Sequence, residues 1–499
     1  MMNSRQSEIR SGAVVNALGL AGRLAGPAFL ILVNRLYGVE VFGVYITAVS
    51  LVEMSIAFLT AGFRDGALLF VARHSDGQPG RDNPALYQAL VNALAWSLLF
   101  AVGLIALTAM LGASVVPRFF PEFGDRLLLM LRWMVLVMPL MAFDRIVLGA
   151  TQGLKIMKYE AAVNGVARPA LLVILAGALW NIWPSEIGIV MAYVFTQCSI
   201  SVIAVFVFNR ELSWRSAGQA IRSFRPSGEM LRFALPQNLN RTLEQFITNI
   251  DVVMLGMLGY GASTIGLYGA GALIVREIRH VKLVFSSAFA PHIVQLYHGR
   301  RMEELSRAYS VTSRWIATWA IPIVLAVVIL RGDLLRVVHP DFSGEDTQFM
   351  LLLLLIPYLQ CSLGLAGNIV VMTGHSGYNL FNSVTTASAN VLLNLWWIPL
   401  FGPFGAAAAS ALAAVLTRGL ELAEMRWVIR ARALIKEMFA PHLAGLLGLA
   451  AIVTTAQFTT YTDQFFPGRL VVALISIAVY LAALGVLRAA GIGRSSLPT

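Results

Sequence analysis

SGAVVNALGLAGRLAGPAFLILV, residues 11–33, decides the class of this protein. The stretch is apolar almost throughout and carries one charge, Arg23, near its middle. About 20 apolar residues at a helical rise of ~1.5 Å cross the hydrocarbon core of a bilayer, so it reads as a membrane-spanning helix. The same pattern recurs along the chain. Of 499 residues, 58% are hydrophobic and 13% charged, with a mean hydropathy of +0.73, against roughly 25% charged in a soluble domain. About fourteen segments qualify: 11–33, 41–63, 85–112, 126–150, 159–181, 186–208, 230–257, 264–290, 306–330, 346–372, 378–400, 402–427, 440–460 and 469–490. Their apolar runs are continuous, not alternating, which excludes a β-barrel. The expected fold is an all-α polytopic membrane protein.

The first segment follows basic residues, as in a secretory leader. It is too long for one and contains Arg23 and Pro27, so it reads as a retained first helix. Cys198 and Cys361 both fall inside spans, and no disulfide framework is implied. A formal net charge of +11 would suggest nucleic acid in a soluble chain. Here its distribution explains it. With the N-terminus inside, twenty Lys and Arg residues fall on the inner side, among them Arg73, Lys155, Arg215, Arg300 and Arg430. Six fall on the outer side: Arg35, Arg118, Arg126, Arg331, Arg336 and Arg469. Inner loops are enriched in Lys and Arg, so both termini are expected in the cytoplasm and no nucleic-acid partner is called for.

No segment is long enough for a soluble domain. The longest inner linker, Asn209–Glu229, holds four arginines and Pro226, and separates a six-helix lobe at 1–225 from another at 226–436. A second basic linker, Arg426–Glu437, precedes two further helices within 437–499. The lobes look related. Tyr37-Gly38-Val39-Glu40-Val41-Phe42-Gly43-Val44-Tyr45 and Tyr260-Gly261-Ala262-Ser263-Thr264-Ile265-Gly266-Leu267-Tyr268 match at four of nine positions, offset by 223 residues. A repeat of six helices keeps its orientation, so the pseudo-symmetry axis runs along the membrane normal, with a cavity expected between the lobes. The offset also sets Glu53 against Arg276, either as a charge pair that changes with transport state or as a static one.

Several chemistries find no support. The chain has no Gly-x-x-x-x-Gly-Lys-Ser/Thr loop, no His-Glu-x-x-His, no Cys-x-x-Cys and no Asp-x-Asp, and its seven histidines are scattered. Neither catalysis nor a metal nor a cofactor is expected.

Deep arginines are the unusual feature. Arg23, Arg168, Arg241 and Arg276 each lie well inside a span, where facing lipid costs roughly 2.5–3.5 kcal/mol apiece. They therefore face protein or water. Arg276, Arg279 and His280 share about a 100° arc if the eighth helix is continuous; Arg276 lies too deep to snorkel, whereas Arg279 and Lys282 can reach the edge. Arg23 sits among Gly19, Gly22, Gly26 and Pro27, a thin segment suited to flexing or to close packing. Arg168 precedes Pro169 and either bonds carbonyls freed by the proline or lines a cavity. Arg241 either pairs with Glu244 at i+3 or joins the cavity. Arg145, beside Asp144 near an inner end, is explained by snorkelling. Carboxylates within spans are Glu53, Asp144, Glu244, Asp251, Glu277 and Glu421; they either pair with arginines or couple transport to protons or sodium, with Glu53 and Asp251 the leading gating or coupling candidates. Guanidinium forks match phosphate oxygens two at a time, so converging arginines suit a pyrophosphate.

Phe42-Gly43-Val44-Tyr45 followed by Gly62 resembles the first helical hairpin of polysaccharide-precursor flippases in the MOP (MATE-like) superfamily, the Wzx-type O-antigen and exopolysaccharide translocases. Phe233-Ala234-Leu235-Pro236, then Asp251, Gly266-Leu267-Tyr268, Pro291 and Tyr297, is similar to the start of their second half. Thr373-Gly374, Asn390, Asn394, Pro399, Gly402 and Gly405-Ala406-Ala407 resemble their eleventh and twelfth helices. The resemblance covers residues 10–430 and implies two pseudo-symmetric six-helix lobes with alternating access, plus two extra C-terminal helices. It implies a polyprenyl-pyrophosphate-linked glycan as cargo, turned between leaflets of a bacterial inner membrane, with membrane lipid, a polysaccharide polymerase and chain-length machinery as partners. By helix position it implies Arg23 and Arg276 as cavity residues; Arg279, Arg168 and Arg241 complete the substrate-binding candidates. A cation-coupled drug or metabolite exporter of the same superfamily is the rival and needs an unpaired cavity carboxylate. A membrane glycosyltransferase or polymerase is a third reading and needs a catalytic carboxylate on a substantial loop.

Overall fold

The computed structural model describes residues 25–74, 83–342, 347–458 and 466–490. Every regular element among them is helical: α1 (25–37), α2 (Val39–His74), α3 (Pro84–Phe119), α4 (Gly124–Leu136), α5 (Met138–Gly153), α6 (Lys158–Ala162), α7 (Arg168–Trp180), α8 (Glu186–Glu211), α9 (Trp214–Arg222), α10 (Gly228–Met257), α11 (Ala262–Arg276), α12 (His280–His298), α13 (Met302–Val338), α14 (Phe349–Leu363), α15 (Leu365–Met372), α16 (Ser376–Trp427), α17 (Ile435–Phe458) and α18 (Phe466–Ala489). A chain in hydrocarbon must satisfy its backbone internally, and continuous helices do so. Among the described residues, seven helices are long and apolar enough to cross a membrane, or nine when two bent pairs are each taken as one span. The 52-residue α16 is two helices meeting at Gly402, whose φ of 59° turns the chain between Pro399 and Pro403. The protein is a multi-pass membrane protein with the all-helical architecture expected.

The expected segments from 41–63 onward fall on these elements, and several bend where the sequence forces them to; of the first, 11–33, residues 11–24 lie outside the described residues. α4 and α5 meet at 43° around Val137, because Pro139 has no N–H to continue the helix. α14 and α15 meet at 52° around Gly364. Before Pro169 the chain inserts a π turn, Val163–Ala167, with the Arg168 N–H bonded to the carbonyl of Val163. The eighth segment, expected to be continuous, is instead broken by a 3₁₀ turn, Glu277–Arg279, between α11 and α12.

The chain forms two compact units, Met1–Leu267 and Tyr268–Thr499. In the first, α10 runs along α2. Gly62 donates its N–H to Asn238 Oδ1 at 2.6 Å, and a Cβ on Gly62 would come within 2.8 Å of the Ala234 carbonyl carbon. Phe63, Phe70, Tyr87, Leu90, Ile146, Phe208 and Met230 fill the core beside this seam. The repeated motif meets itself here as well. A Cβ on Gly43 would lie 2.6 Å from the Ala262 carbonyl carbon and 3.0 Å from the Gly266 nitrogen. One on Gly266 would lie 2.6 Å from the Val39 oxygen and 3.4 Å from the Gly43 nitrogen. Val39 and Ala262, like Gly43 and Gly266, are related by the 223-residue offset. Reciprocal contact of equivalent positions is the signature of a two-fold relation.

In the second unit, α13 carries α17 and α18. Ala317, Ile321 and Leu325 pack on Ala440, Ala444, Tyr480 and Leu484. Arg469 holds both oxygens of Asp333 at 3.2 Å, Arg314 approaches Glu437 at 3.5 Å, and the Tyr480 hydroxyl donates to the Thr318 carbonyl at 3.0 Å. The two added helices are thus fastened at several heights along α13.

Overpacking a tight seam costs about 1–3 kcal/mol, and more where the obstacle is backbone. Gly43→Ala and Gly266→Ala should each lower the thermal midpoint of the detergent-purified protein by several degrees. Gly26→Ala, where an added Cβ meets nothing within 4 Å, should leave it unchanged. Equal midpoints for all three would mean the seam tolerates side chains.

Candidate functional site

Each unit contains a charged cluster within otherwise apolar packing. In the first unit it is built on the bend between α4 and α5 and on the π turn before α7. Asp144 on α5 is fully buried. Its Oδ2 accepts from Arg168 Nη2 at 3.0 Å and from Gln197 Nε2 of α8 at 2.7 Å. Gln197 Oε1 accepts from Arg168 Nη1 at 2.7 Å, and Asn164 Oδ1, inside the π turn, accepts from Arg168 Nε at 3.0 Å. The arginine therefore does not bond carbonyls freed by Pro169. The extra residue of the π turn accommodates the proline, and side chains from three elements take the guanidinium. Asp144 Oδ1 is buried without a hydrogen-bond partner among the described residues.

The next residue, Arg145, projects about 100° further round α5. Its Nη2 lies 3.3 Å from Glu53 Oε2 on α2. Snorkelling is thus replaced by pairing: a carboxylate within reach in a low-dielectric interior attracts the guanidinium more than a distant headgroup layer does. Glu53 and Asp144 against Arg145 and Arg168 make a charge-balanced quartet on α2, α5 and α7, with Gln197 of α8 bonded to Asp144 and Arg168. Toward the α5–α6 turn, Arg64 Nη2 reaches Gln152 Oε1 at 3.1 Å and Glu160 Oε1 at 3.3 Å, and Nη1 reaches Asp65 at 3.3 Å.

In the second unit, α16 folds back at Gly402 and its halves are laced by polar side chains. Asn394 bonds Asn390 at 2.6 Å, Asn390 bonds Ser410 at 3.0 Å, Thr386 meets Thr417 at 2.9 Å, and Asn382 donates to Glu424 at 2.9 Å. Arg418 pairs with Glu421 at 2.5 Å. The broken α14–α15 span makes room for this cluster. A Cβ on Gly364 would lie 2.9 Å from Lys282 Nζ, and one on Gly367 would lie 2.5 Å from Glu421 Oε1.

The remaining expected site residues are placed as follows. Arg23 lies outside the described residues. Arg276 is half-buried at the end of α11, where it takes part in interactions, and Arg279 is exposed. The 3₁₀ turn brings residues three apart into line, so Glu277 meets His280 at 3.3 Å. Arg241 pairs with Glu244 at 2.9 Å on an exposed face of α10. Asp251 is buried and partnered. Asn164, Gln197, Asn382 and Arg418 were not singled out from sequence. Their signal was a lone polar residue in an apolar run.

Removing one member of a buried ion pair costs about 3–5 kcal/mol, because the other is left uncompensated. Asp144→Ala should therefore lower the thermal midpoint far more than Glu244→Ala, whose partner Arg241 is already half in solvent. Asp144→Leu combined with Arg168→Met should recover most of the loss. Equal shifts for Asp144→Ala and Glu244→Ala, measured by fluorescence-detected melting, would contradict the burial of Asp144 against Arg168.

Residues 9–297, more than half of the chain, match the family described as "Polysaccharide biosynthesis protein". No curated protein matches the sequence. Among solved structures, the lipid II flippase MurJ in an inward closed conformation superposes with a TM-score of 0.76 at 13% identity, over 95% of this chain and 99% of that one. An inward-facing multidrug resistance MATE transporter of the MOP superfamily gives 0.68 at 15% identity, over 82% and 94%. A MOP superfamily transporter from Pyrococcus furiosus, noted for a binding pocket of reversed polarity, gives 0.55 at 16%, over 85% and 95%. At these identities the matches establish the fold and say nothing of cargo. The protein has the fold of the MOP superfamily transporters and belongs to the polysaccharide biosynthesis protein family.

Proposed function

We propose that this protein is a flippase that moves a polyprenyl-pyrophosphate-linked oligosaccharide from the cytoplasmic to the outer leaflet of the bacterial inner membrane, by alternating access, for cell-surface polysaccharide synthesis. In this reading the moving bodies are the lobes 1–225 and 226–436, with 437–499 as an added hairpin and both termini in the cytoplasm. Arg23, Arg168, Arg241, Arg276 and Arg279 bind the diphosphate, and Glu53 and Asp251 act in gating or coupling. A polymerase and chain-length machinery act downstream.

The observation that carries this reading is the set of guanidiniums held within spans by neutralising side chains, in a chain of the polysaccharide biosynthesis family. Such a guanidinium is already charged, oriented and stripped of most water. A diphosphate oxygen arriving at Arg168 or Arg145 competes with Asp144 or Glu53 for it. The displaced carboxylate cannot remain bare in a low dielectric and is neutralised by a proton or sodium ion. Cargo and coupling ion then enter together, and recapture of the arginine by its carboxylate favours release. A cation exporter needs a carboxylate open to its substrate. The pairing of Glu53 with Arg145 and of Asp144 with Arg168 weighs against that alternative.

Arg276→Ala, and Arg168→Met combined with Asp144→Leu so that no buried carboxylate is stranded, should each reduce surface glycan at least about tenfold while the protein stays in the membrane, a loss equivalent to ~1.4 kcal/mol of cargo binding. Lipid-linked repeat units should then accumulate in the inner leaflet, as read by their inaccessibility to an impermeant glycan-labelling reagent applied to spheroplasts. Full surface glycan from both variants would remove these arginines from the cargo site. Accumulation in the outer leaflet would point to polymerisation instead. Glu53→Arg with Arg276→Glu should restore part of the output if those positions pair during the cycle; no gain over either single change would exclude the pairing.

A further inference from the structure

The linker between α8 and α10, expected as a basic loop, is an ordered surface helix, α9. Its attachment is built from both ends. The Tyr87 hydroxyl accepts from the Ser213 N–H at 2.7 Å, and Ser213 Oγ caps the helix at Ser216 N, 3.3 Å away. Trp214 packs on Phe208 of α8 with ring centroids 4.1 Å apart. On α3, Gln88 Nε2 bonds the carbonyls of Ala220 and Ser223 at 3.2 and 3.1 Å. Asn92 donates to the Arg225 carbonyl at 3.0 Å and accepts from the Ser227 N–H at 2.8 Å.

At 100° per residue α9 has three faces. Ala217 and Ala220 are buried against the protein. Trp214 and Ile221, seven apart and so about 20° from one another, form an apolar edge 48% and 62% exposed. Arg215 and Arg222, also seven apart, form a basic edge beside it, extended past the helix by exposed Phe224 and Arg225. Among the described residues Arg215, Arg222 and Arg225 form no ion pair. Two residues separate α9 from the end of α8, a helix long and apolar enough to cross a membrane, so its exposed apolar edge lies next to the end of that helix. A helix with aromatic and aliphatic side chains on one edge and arginines on the next is the pattern that lies in the headgroup–acyl boundary on anionic lipid.

We infer that α9 is a docking site for anionic phospholipid headgroups in the adjacent leaflet, with Trp214 and Ile221 among the upper acyl carbons and Arg215 and Arg222 on the phosphodiesters. Because α9 is hydrogen-bonded to α3 and continuous with α8 and α10, headgroup binding bears on the packing of three spans at once. The site is separate from the deep arginines and does not depend on the cargo.

The test uses full-length protein in nanodiscs of phosphatidylcholine containing phosphatidylglycerol, with bromine on the acyl chains of one lipid or the other. The Trp214 signal is the difference between wild type and Trp214→Phe, which keeps a ring against Phe208. Brominated phosphatidylglycerol should quench that signal at several-fold lower mole fraction than brominated phosphatidylcholine, and 1 M salt should erase the preference. Each arginine near an anionic surface contributes about 1 kcal/mol, so Arg215→Gln with Arg222→Gln should weaken the preference by roughly 30-fold, while Arg215→Lys with Arg222→Lys keeps it. The proposal fails if Trp214→Phe removes no lipid quenching, or if the double glutamine variant, melting as wild type does, keeps the full preference.

Discussion

Hydrocarbon offers an arginine no water with which to complete its hydrogen bonds, so a guanidinium in a span takes its partners from the protein. In the first unit this requirement sets how four helices are turned about their own axes. Arg168 can meet Asp144, Gln197 and Asn164 only if α5, α7 and α8 present those residues to one point, and Arg145 can meet Glu53 only if α2 is turned to it. Apolar side chains packed in lipid discriminate weakly between rotations, since lipid tails are as apolar as they are. The ionic quartet discriminates strongly, because a wrong rotation strands a charge.

The charges lie beside places where helices are interrupted. Arg168 follows the π turn, Arg276 precedes the 3₁₀ turn, Lys282 faces the break at Gly364, and Asp144 lies about two turns beyond the bend at Val137. The association has a physical basis. A break lets backbone or side chains approach more closely than an unbroken helix permits, and it removes the steric bulk that would otherwise cover a long polar side chain. Gly364 and Gly367 do this directly, for any side chain there would fill the space taken by Lys282 and Glu421.

Glycine seams and ionic staples hold different parts together. Gly62 brings the backbones of α2 and α10 into contact, and Gly43 with Gly266 does so for α2 and the first turns of α11. Close backbone packing of this kind substitutes for the hydrophobic effect, which is absent between helices in lipid. The added hairpin α17–α18 relies on Arg469–Asp333, Arg314–Glu437 and Tyr480–Thr318 in addition to small residues such as Gly445. Polar fastenings at several heights specify one register, whereas a smooth glycine seam permits sliding.

The sequence alone determined the class of the protein and where most of its long apolar helices run, because hydrocarbon is a uniform solvent that selects for length and hydropathy without reference to any neighbour. The internal repeat was legible for a similar local reason: the same glycine spacing is used twice, and the equivalent glycines turn out to face one another. Interruptions at Pro139 and Pro169 could be anticipated from a missing N–H, but whether the chain would answer with a bend or a π turn could not. Partner choice was the part that only tertiary structure decided. Arg145 could as well have reached for the membrane edge, and Arg168 for nearby carbonyls; Gln197 lies 29 residues from Arg168 and Glu53 lies 92 from Arg145. A guanidinium's energy depends on which oxygens lie within about 3 Å, and helix rotation and packing settle that distance after the spans are already in place.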